Sequence, residues 1–171
     1  LAQERAVEII LPIVEALEYS HREGVVHRDL KPANIIIDTY ESAHKNTQET
    51  PFLVDFGIAK RKGDRQLTQT GEILGSVPYM APEYIMGDEY TEACDVYSIG
   101  ICLFEALAGF EKLPFGSESD NIETVTLLKK IAYEPPEAIG VHRPDIDPLL
   151  EKVVMKAIAR DLELRYESAG L

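Results

Sequence analysis

The chain has 171 residues, of which 45% are hydrophobic and 27% charged, a composition typical of one globular domain with an apolar core. Its formal net charge of -13 argues against a nucleic-acid-binding protein, since such proteins usually present a basic face. No apolar run reaches the roughly 20 residues of a membrane-spanning helix, and the start lacks the pattern of a signal peptide. We therefore expect a soluble, cytoplasmic segment that contacts neither nucleic acid nor membrane.

The first predicted element is an amphipathic helix over residues 2–20. Its apolar side chains recur at three- and four-residue steps: Val7, Ile10, Leu11, Val14 and Leu17. Pro12 lies in the middle of this pattern and removes one backbone donor, so we expect a kink there. Gly24 marks the turn that follows the helix.

A two-stranded hairpin is predicted next. Residues 34–38 and 51–54 are short apolar runs rich in β-branched or aromatic side chains, as strands usually are. The hydrophilic residues 39–50 between them are expected to form a long loop.

The most apolar part of the chain is residues 94–110. It is hydrophobic on nearly every side, which is typical of a helix buried at the centre of a domain. Cys94 and Cys102 lie in this stretch, and their spacing fits neither a C-x-x-C site nor a disulfide framework. We expect both to be buried free thiols.

Two further helices are predicted after this one. Residues 121–132 carry four apolar side chains on one face, with Asp120 or Asn121 as the N-cap. These four are Ile122, Val125, Leu128 and Ile131. Asp147 and Pro148 then begin the second helix, as N-cap and first helical residue.

Short motifs follow one another along the chain: HRDLKPAN at residues 27–34, DFG at 55–57, APE at 81–83 and DVYSIG at 95–100. This order resembles the C-terminal lobe of a eukaryotic-type (Hanks-type) Ser/Thr protein kinase. Residues 156–169 are most similar to the bacterial members. The resemblance implies an α+β protein-kinase-like fold, in which residues 1–171 form the mainly α-helical C-terminal lobe with its short β-hairpin.

The sequence contains no Gly-rich phosphate loop and no strand lysine of the V-A-I-K type, which belong to the N-terminal lobe of that family. We therefore expect a fragment without that lobe, with an activation segment at residues 55–83 and no kinase activity on its own. Joined to its N-terminal lobe, it is expected to transfer the γ-phosphoryl group of ATP to Ser or Thr hydroxyls of protein substrates. The alternative is an inactive truncated lobe that serves as a peptide-binding scaffold. A membrane anchor elsewhere in the parent protein stays open.

Four residues of these motifs have the chemistry that phosphoryl transfer needs. Asp29 is expected to accept the proton of the substrate hydroxyl, and Lys31 to reach the transferred phosphoryl group as a point charge. Asn34 and Asp55 offer the hard oxygen ligands that Mg²⁺ prefers, with Mn²⁺ as the alternative metal. Each residue alone is more often a helix cap or a turn former, but their joint order favours a catalytic site.

The activation segment carries candidate regulatory residues. Arg28 precedes the catalytic aspartate, as in kinases whose activation-loop phosphate is held by that arginine. Thr68 and Thr70 resemble the autophosphorylated threonines of bacterial Ser/Thr kinases, the alternative being solvated loop residues. A nearby basic cluster either assists Arg28 or is simply solvated: Lys60, Arg61, Lys62 and Arg65.

The resemblance assigns supporting roles around the DFG motif. His27 is expected to organise the catalytic loop, Phe56 to act as a packing switch and Gly57 as a backbone hinge. The remaining histidines have no metal-ligand spacing and are assigned no chemistry: His21, His44 and His142.

Supporting roles are also implied further along the chain. Ser76 is expected to contact the catalytic aspartate and lysine. Glu83 is expected to form a buried ion pair with Arg165. Asp95 is expected to hold the backbone of the catalytic loop, and the alternative for this residue is an N-cap of its own helix.

Overall fold

A computed structural model describes residues 1–41, 47–56, 74–116 and 120–170. In these residues the helices are α1 (Gln3–Arg22), α2 (Pro82–Met86), α3 (Glu92–Ala108), α4 (Thr124–Tyr133) and α5 (Pro148–Ala157). The strands are β1 (Ile35–Glu41) and β2 (Thr47–Leu53), which pair antiparallel. Short 3₁₀ turns lie at Pro32–Asn34, Leu74–Tyr79, Ile139–Val141 and Leu162–Leu164. The expected fold class, a mainly helical lobe with a short β-hairpin, is confirmed. No described helix is both long and apolar enough to cross a membrane.

Helix α1 continues through Pro12 and ends at Arg22. Its buried stripe contains Ala6, Ile10, Ile13 and Leu17 and follows the helical period. The sequence placed Val7 and Leu11 on this face, but their side chains are 37% and 53% exposed. That part of the prediction was wrong because the helix is apolar on more than one side, and periodicity alone does not select the side that packs.

The β-hairpin is longer than predicted. Residues 39–41 and 47–50, expected to be loop, continue the strands, with Asp38 opposite Thr50 and Glu41 opposite Thr47. Threonine and tyrosine are good strand formers, so a polar sequence can extend a ladder whose faces contact water. At the other end of the hairpin Ile35 pairs with Leu53, which brings the HRDLKPAN and DFG motifs together.

Helix α3 is the buried centre of the fold, as predicted. It packs against α1 on one side and α5 on another. Its side chains Tyr97, Ile101 and Phe104 are fully buried. The helix ends at Ala108, two residues before the expected end, because Gly109 adopts a positive φ of 123°.

Both cysteines of α3 are buried and free, as predicted. Burial raises the pKa of the Cys94 thiol to about 12 and raises that of Cys102 further above its ordinary value. Both side chains are therefore neutral, unreactive parts of the core at physiological pH.

The two C-terminal helices differ in how well their starts were predicted. Helix α4 begins at Thr124, and neither Asp120 nor Asn121 caps it, because its N-cap position is Glu123 and Asn121 adopts a left-handed φ of 57°. On this helix Val125 is 61% exposed, so it does not share the buried face. Helix α5 begins as predicted: Asp147 Oδ1 accepts hydrogen bonds from the amides of Leu149 (2.7 Å) and Leu150 (3.2 Å).

Candidate active site

The Asp95 side chain fixes the backbone of the loop between α1 and β1. This side chain is fully buried in the first turn of α3, inside the helix rather than at its N-cap. Its Oδ2 accepts the amide of His27 at 2.7 Å, and its Oδ1 accepts the amide of Arg28 at 3.0 Å. It also accepts hydrogen bonds from the Tyr90 hydroxyl (3.0 Å) and the His21 Nε2 (2.9 Å). The buried carboxylate thus fixes two successive backbone amides immediately before Asp29.

Arg28 has a strained backbone. Its φ of 71° lies in the left-handed region, which costs a non-glycine residue about 1–2 kcal/mol. The hydrogen bond from its amide to the buried Asp95 carboxylate offsets this cost. The strained turn is therefore specified by the α3 core and not by local preference.

His27 joins the catalytic loop to the DFG segment. Its Nδ1 accepts the amide of Asp29 at 3.3 Å, so its Nε2 carries the proton and donates to the carbonyl of Val54 at 3.0 Å. Its ring packs against Phe56 with centroids 4.7 Å apart. The ring is fully buried, and it links the loop that carries Asp29 to the segment that carries Phe56.

Asp29, Lys31 and Ser76 form a triangle of side chains. Lys31 Nζ lies 3.0 Å from Asp29 Oδ2 and donates to Ser76 Oγ at 3.0 Å. Ser76 Oγ in turn donates to Asp29 Oδ1 at 3.4 Å. The side chains of Lys31 and Asp29 are 23% and 24% exposed, so a hydroxyl group from outside has access to the carboxylate.

Asn34 lies beside this triangle and is buried. Its Nδ2 donates to the main-chain oxygen of Asp29 at 2.7 Å and to Oδ2 of the same residue at 3.3 Å. Because Nδ2 makes both of these hydrogen bonds, the side-chain oxygen Oδ1 is the atom of Asn34 that can bind a ligand.

The β-hairpin returns the chain to Asn34. The amide of Val54 donates to the carbonyl of Asn34 at 3.0 Å, and exposed Asp55 follows directly with a left-handed φ of 57°. An amide oxygen and a carboxylate in adjoining backbone segments fit Mg²⁺, which takes one or two protein oxygens and completes its shell with water and phosphate.

Glu83 and Arg165 form a buried bidentate pair. Arg165 donates to Glu83 through both terminal nitrogens, at 2.7 and 3.0 Å. It also donates to the carbonyls of Ala93, Ala159 and Arg160. The pair connects α2 with the residues that follow α5.

Two polar contacts near the loop were not assigned from the sequence. His21 was given no chemistry, yet it contacts Asp95. The Tyr79 hydroxyl donates to Glu105 at 2.7 Å, and burial beside this carboxylate raises the pKa of Tyr79 far above its ordinary value. No local pattern indicates either contact, because the paired residues are 74 and 26 positions apart in the chain.

Several predicted residues lie outside the described part of the chain. These are Gly57, the candidate phosphorylation sites Thr68 and Thr70, the basic cluster Lys60, Arg61, Lys62 and Arg65, and His44.

Comparison with known proteins shows the family of the chain. The protein kinase domain family matches residues 1–168. The chain is 39% identical to the probable serine/threonine-protein kinase PknB of Lactococcus lactis, over 97% of the chain and 24% of that protein. It is 36% identical to PknJ of Mycobacterium tuberculosis, over 97% of the chain and 27% of that protein. It is 35% identical to PknB of Mycolicibacterium smegmatis, over 99% of the chain and 25% of that protein. The chain spans about a quarter of the length of these serine/threonine-protein kinases. It belongs to the protein kinase family.

Proposed function

We propose that this chain is the catalytic C-terminal lobe of an ATP- and Mg²⁺-dependent serine/threonine protein kinase of the bacterial type. Joined to an N-terminal lobe, it transfers the γ-phosphoryl group of ATP to Ser or Thr hydroxyls of protein substrates in the cytoplasm. The observation that carries the proposal is the triangle of Asp29, Lys31 and Ser76, beside the oxygen of Asn34.

Asp29 acts on the attacking hydroxyl. Its carboxylate accepts the hydroxyl proton as the oxygen forms its bond to the γ-phosphorus and the bond to the ADP oxygen breaks. The Asn34 amide on Oδ2 and the Ser76 hydroxyl on Oδ1 hold this carboxylate in one orientation. Positioning of this kind supplies much of the catalysis in phosphoryl transfer.

Lys31 places a positive charge 3.0 Å from the same carboxylate, where phosphate oxygens gather charge during transfer. Asn34 and Asp55 would hold Mg²⁺, which neutralises charge on the phosphates when bound. The contact between Lys31 and Ser76 connects the activation segment with the catalytic loop, and it supports an acceptor preference for Ser and Thr.

The proposal is tested with the full-length protein and radiolabelled ATP. We expect Mg²⁺-dependent transfer to a general protein substrate, with phosphoserine and phosphothreonine after acid hydrolysis. Asn34→Ala should raise the Mg²⁺ concentration for half-maximal rate about tenfold or more, since it removes one metal ligand. Absence of transfer by the full-length protein, or label on tyrosine alone, would contradict the proposal.

A further inference from the structure

Helix α1 carries an exposed stripe on the side opposite its buried face. In this stripe acidic and apolar side chains alternate at helical spacing: Glu4, Val7, Glu8, Leu11 and Glu15. The Glu8 carboxylate lies 3.4 Å from the Arg5 guanidinium, whereas Glu4 and Glu15 have no ion-pair partner among the described residues. The α1 stripe therefore presents two exposed apolar side chains flanked by carboxylates.

Helix α5 carries an exposed stripe of the opposite charge. Its members recur at three- and four-residue steps: Leu149, Lys152, Val153 and Lys156. The side chains of Leu149 and Val153 are 72% and 46% exposed. The Lys156 ammonium lies 4.1 Å from the centroid of the Tyr166 ring, and neither lysine has an ion-pair partner in the described part of the chain. The α5 stripe therefore presents two apolar side chains flanked by positive charges.

The two stripes have the geometry of helix-packing surfaces. In α1 the apolar pair is Val7 and Leu11, and in α5 it is Leu149 and Val153, so both pairs are four residues apart. Side chains at this spacing form a ridge that packs into the groove of another helix, with the two axes about 8–10 Å apart. At that separation the charged side chains beside the ridges also come into contact. Each stripe is therefore suited to a second helix.

Charge decides which helices match. Two α1 stripes would place carboxylates against carboxylates, and two α5 stripes would place lysines against lysines. Only α1 against α5 pairs opposite charges along the contact. Within one chain both helices pack against α3 and direct their stripes outwards, so the two stripes meet only between two molecules. An anionic lipid surface fits the α5 stripe less well, because the net charge of -13 repels it.

We propose that two copies of this chain associate through these stripes, with α1 of one copy packed against α5 of the other. The α5 stripe spans only about two helical turns, so the contact is small and the association is weak, in the micromolar to millimolar range. Repulsion between two acidic molecules weakens it further. The proposal rests on the fold and not on the proposed kinase function.

The test is sedimentation equilibrium of the 171-residue chain with the charges of one stripe reversed. The α5 variant carries Lys152→Glu and Lys156→Glu, and the α1 variant carries Glu4→Lys and Glu15→Lys. All four side chains are exposed, so the fold should be retained, which circular dichroism checks. The unmodified chain is expected to gain average mass with concentration. Each variant should raise the Kd for self-association about tenfold or more.

A matched control has the net charge of the α5 variant. It carries Lys112→Glu and Lys129→Glu, two exposed lysines outside both stripes. Its Kd should stay within about threefold of that of the unmodified chain. A loss equal to that of the α5 variant would overturn the proposal, since it would show that only net charge matters.

The α1 variant separates stripe pairing from general repulsion. Its two side chains change from -1 to +1, so the net charge rises from -13 to -9. Weaker repulsion alone would tighten association, whereas stripe pairing predicts that association weakens. An equal mixture of the α1 and α5 variants restores opposite charges at the contact. The mixture should therefore associate with a Kd within about threefold of that of the unmodified chain.

Three results would overturn the proposal: an unmodified chain that stays monomeric at millimolar concentration, tighter association of the α1 variant, or a mixture that does not associate. Co-sedimentation with phosphatidylglycerol vesicles is measured in parallel. A monomeric chain that binds these vesicles through Lys152 and Lys156 would assign the α5 stripe to a lipid surface and exclude the second copy.

Discussion

Replacing Arg165 by methionine should strongly destabilise the chain. The guanidinium is fully buried and makes five contacts with oxygen atoms, two of them with the Glu83 carboxylate. Methionine fills a similar volume without any donor. The change leaves a buried carboxylate whose one other donor among the described residues is the Cys94 thiol at 3.2 Å.

The magnitude follows from these contacts. Removing one partner of a buried ion pair costs about 3–5 kcal/mol, because the other charge stays buried and unpaired. Arg165→Met also removes the donor from three carbonyl groups, so we expect about 4–5 kcal/mol, the upper end of that range. Glu83→Gln keeps one oxygen acceptor and leaves the three carbonyl contacts intact, so we expect about 2–3 kcal/mol.

The assay is urea unfolding of the 171-residue chain, followed by circular dichroism, for both single variants and the double variant. The double variant should lose less free energy of unfolding than the sum of the singles, by about 1.5–3 kcal/mol, because the residues contact each other. Additive losses, or a loss below about 1 kcal/mol for Arg165→Met, would refute this account of the pair.

Three further predictions concern the core around α3. Tyr97→Phe removes a buried hydroxyl that has no hydrogen-bond partner among the described residues, so thermal unfolding should show unchanged or increased stability, by up to about 1–2 kcal/mol. Gly100→Ala would place a Cβ 2.8 Å from Ile158 Cγ2, so urea unfolding should show a loss of about 1–3 kcal/mol, and an unchanged midpoint would contradict the contact. Alkaline pH should destabilise the fold, because Cys94 and Cys102 have raised pKa values and lose their protons first in the unfolded state. Stability should fall from about pH 9 towards pH 12, by about 1.4 kcal/mol per pH unit for each thiol, and Cys94→Ala should make the fall less steep.

The sequence predicted most accurately where one physical requirement decides the outcome. Helix α3 is apolar on nearly every side, and only burial at the centre of the domain satisfies such a helix. Asp147 followed by Pro148 has the chemistry of a helix start, and the carboxylate does accept the first amides of α5. The motif residues Asp29, Lys31 and Asn34 lie together because a single short loop carries them all.

The sequence was less informative where one sequence pattern fits more than one structure. Val7 and Leu11 are as hydrophobic as the buried residues of α1, and only the packing against α3 distinguishes the two faces. The extension of the hairpin through polar residues depends on backbone pairing between Asp38 and Thr50, which side-chain polarity does not report. The N-terminus of α4 was missed because Asn121 adopts a left-handed conformation instead of capping.

The contact between His21 and Asp95 could not have been read from the sequence. A histidine at the end of an amphipathic helix is usually a surface residue that interacts with the helix dipole. Its contact with Asp95 joins positions 74 residues apart, and such a contact depends on how α1 crosses α3. Local sequence patterns do not encode long-range polar contacts of this kind.

We propose that Asp29 takes the proton of the attacking hydroxyl, and Asp29→Asn in the full-length protein tests this role. The phosphoryl-transfer rate and the Kd for ATP are measured together, with Asp38→Asn on exposed β1 as the control. We expect Asp29→Asn to lower the transfer rate by about 10²–10⁴, the usual contribution of a catalytic base, while the Kd for ATP stays unchanged. Turnover close to that of the Asp38→Asn control would contradict the account and remove Asp29 from this role.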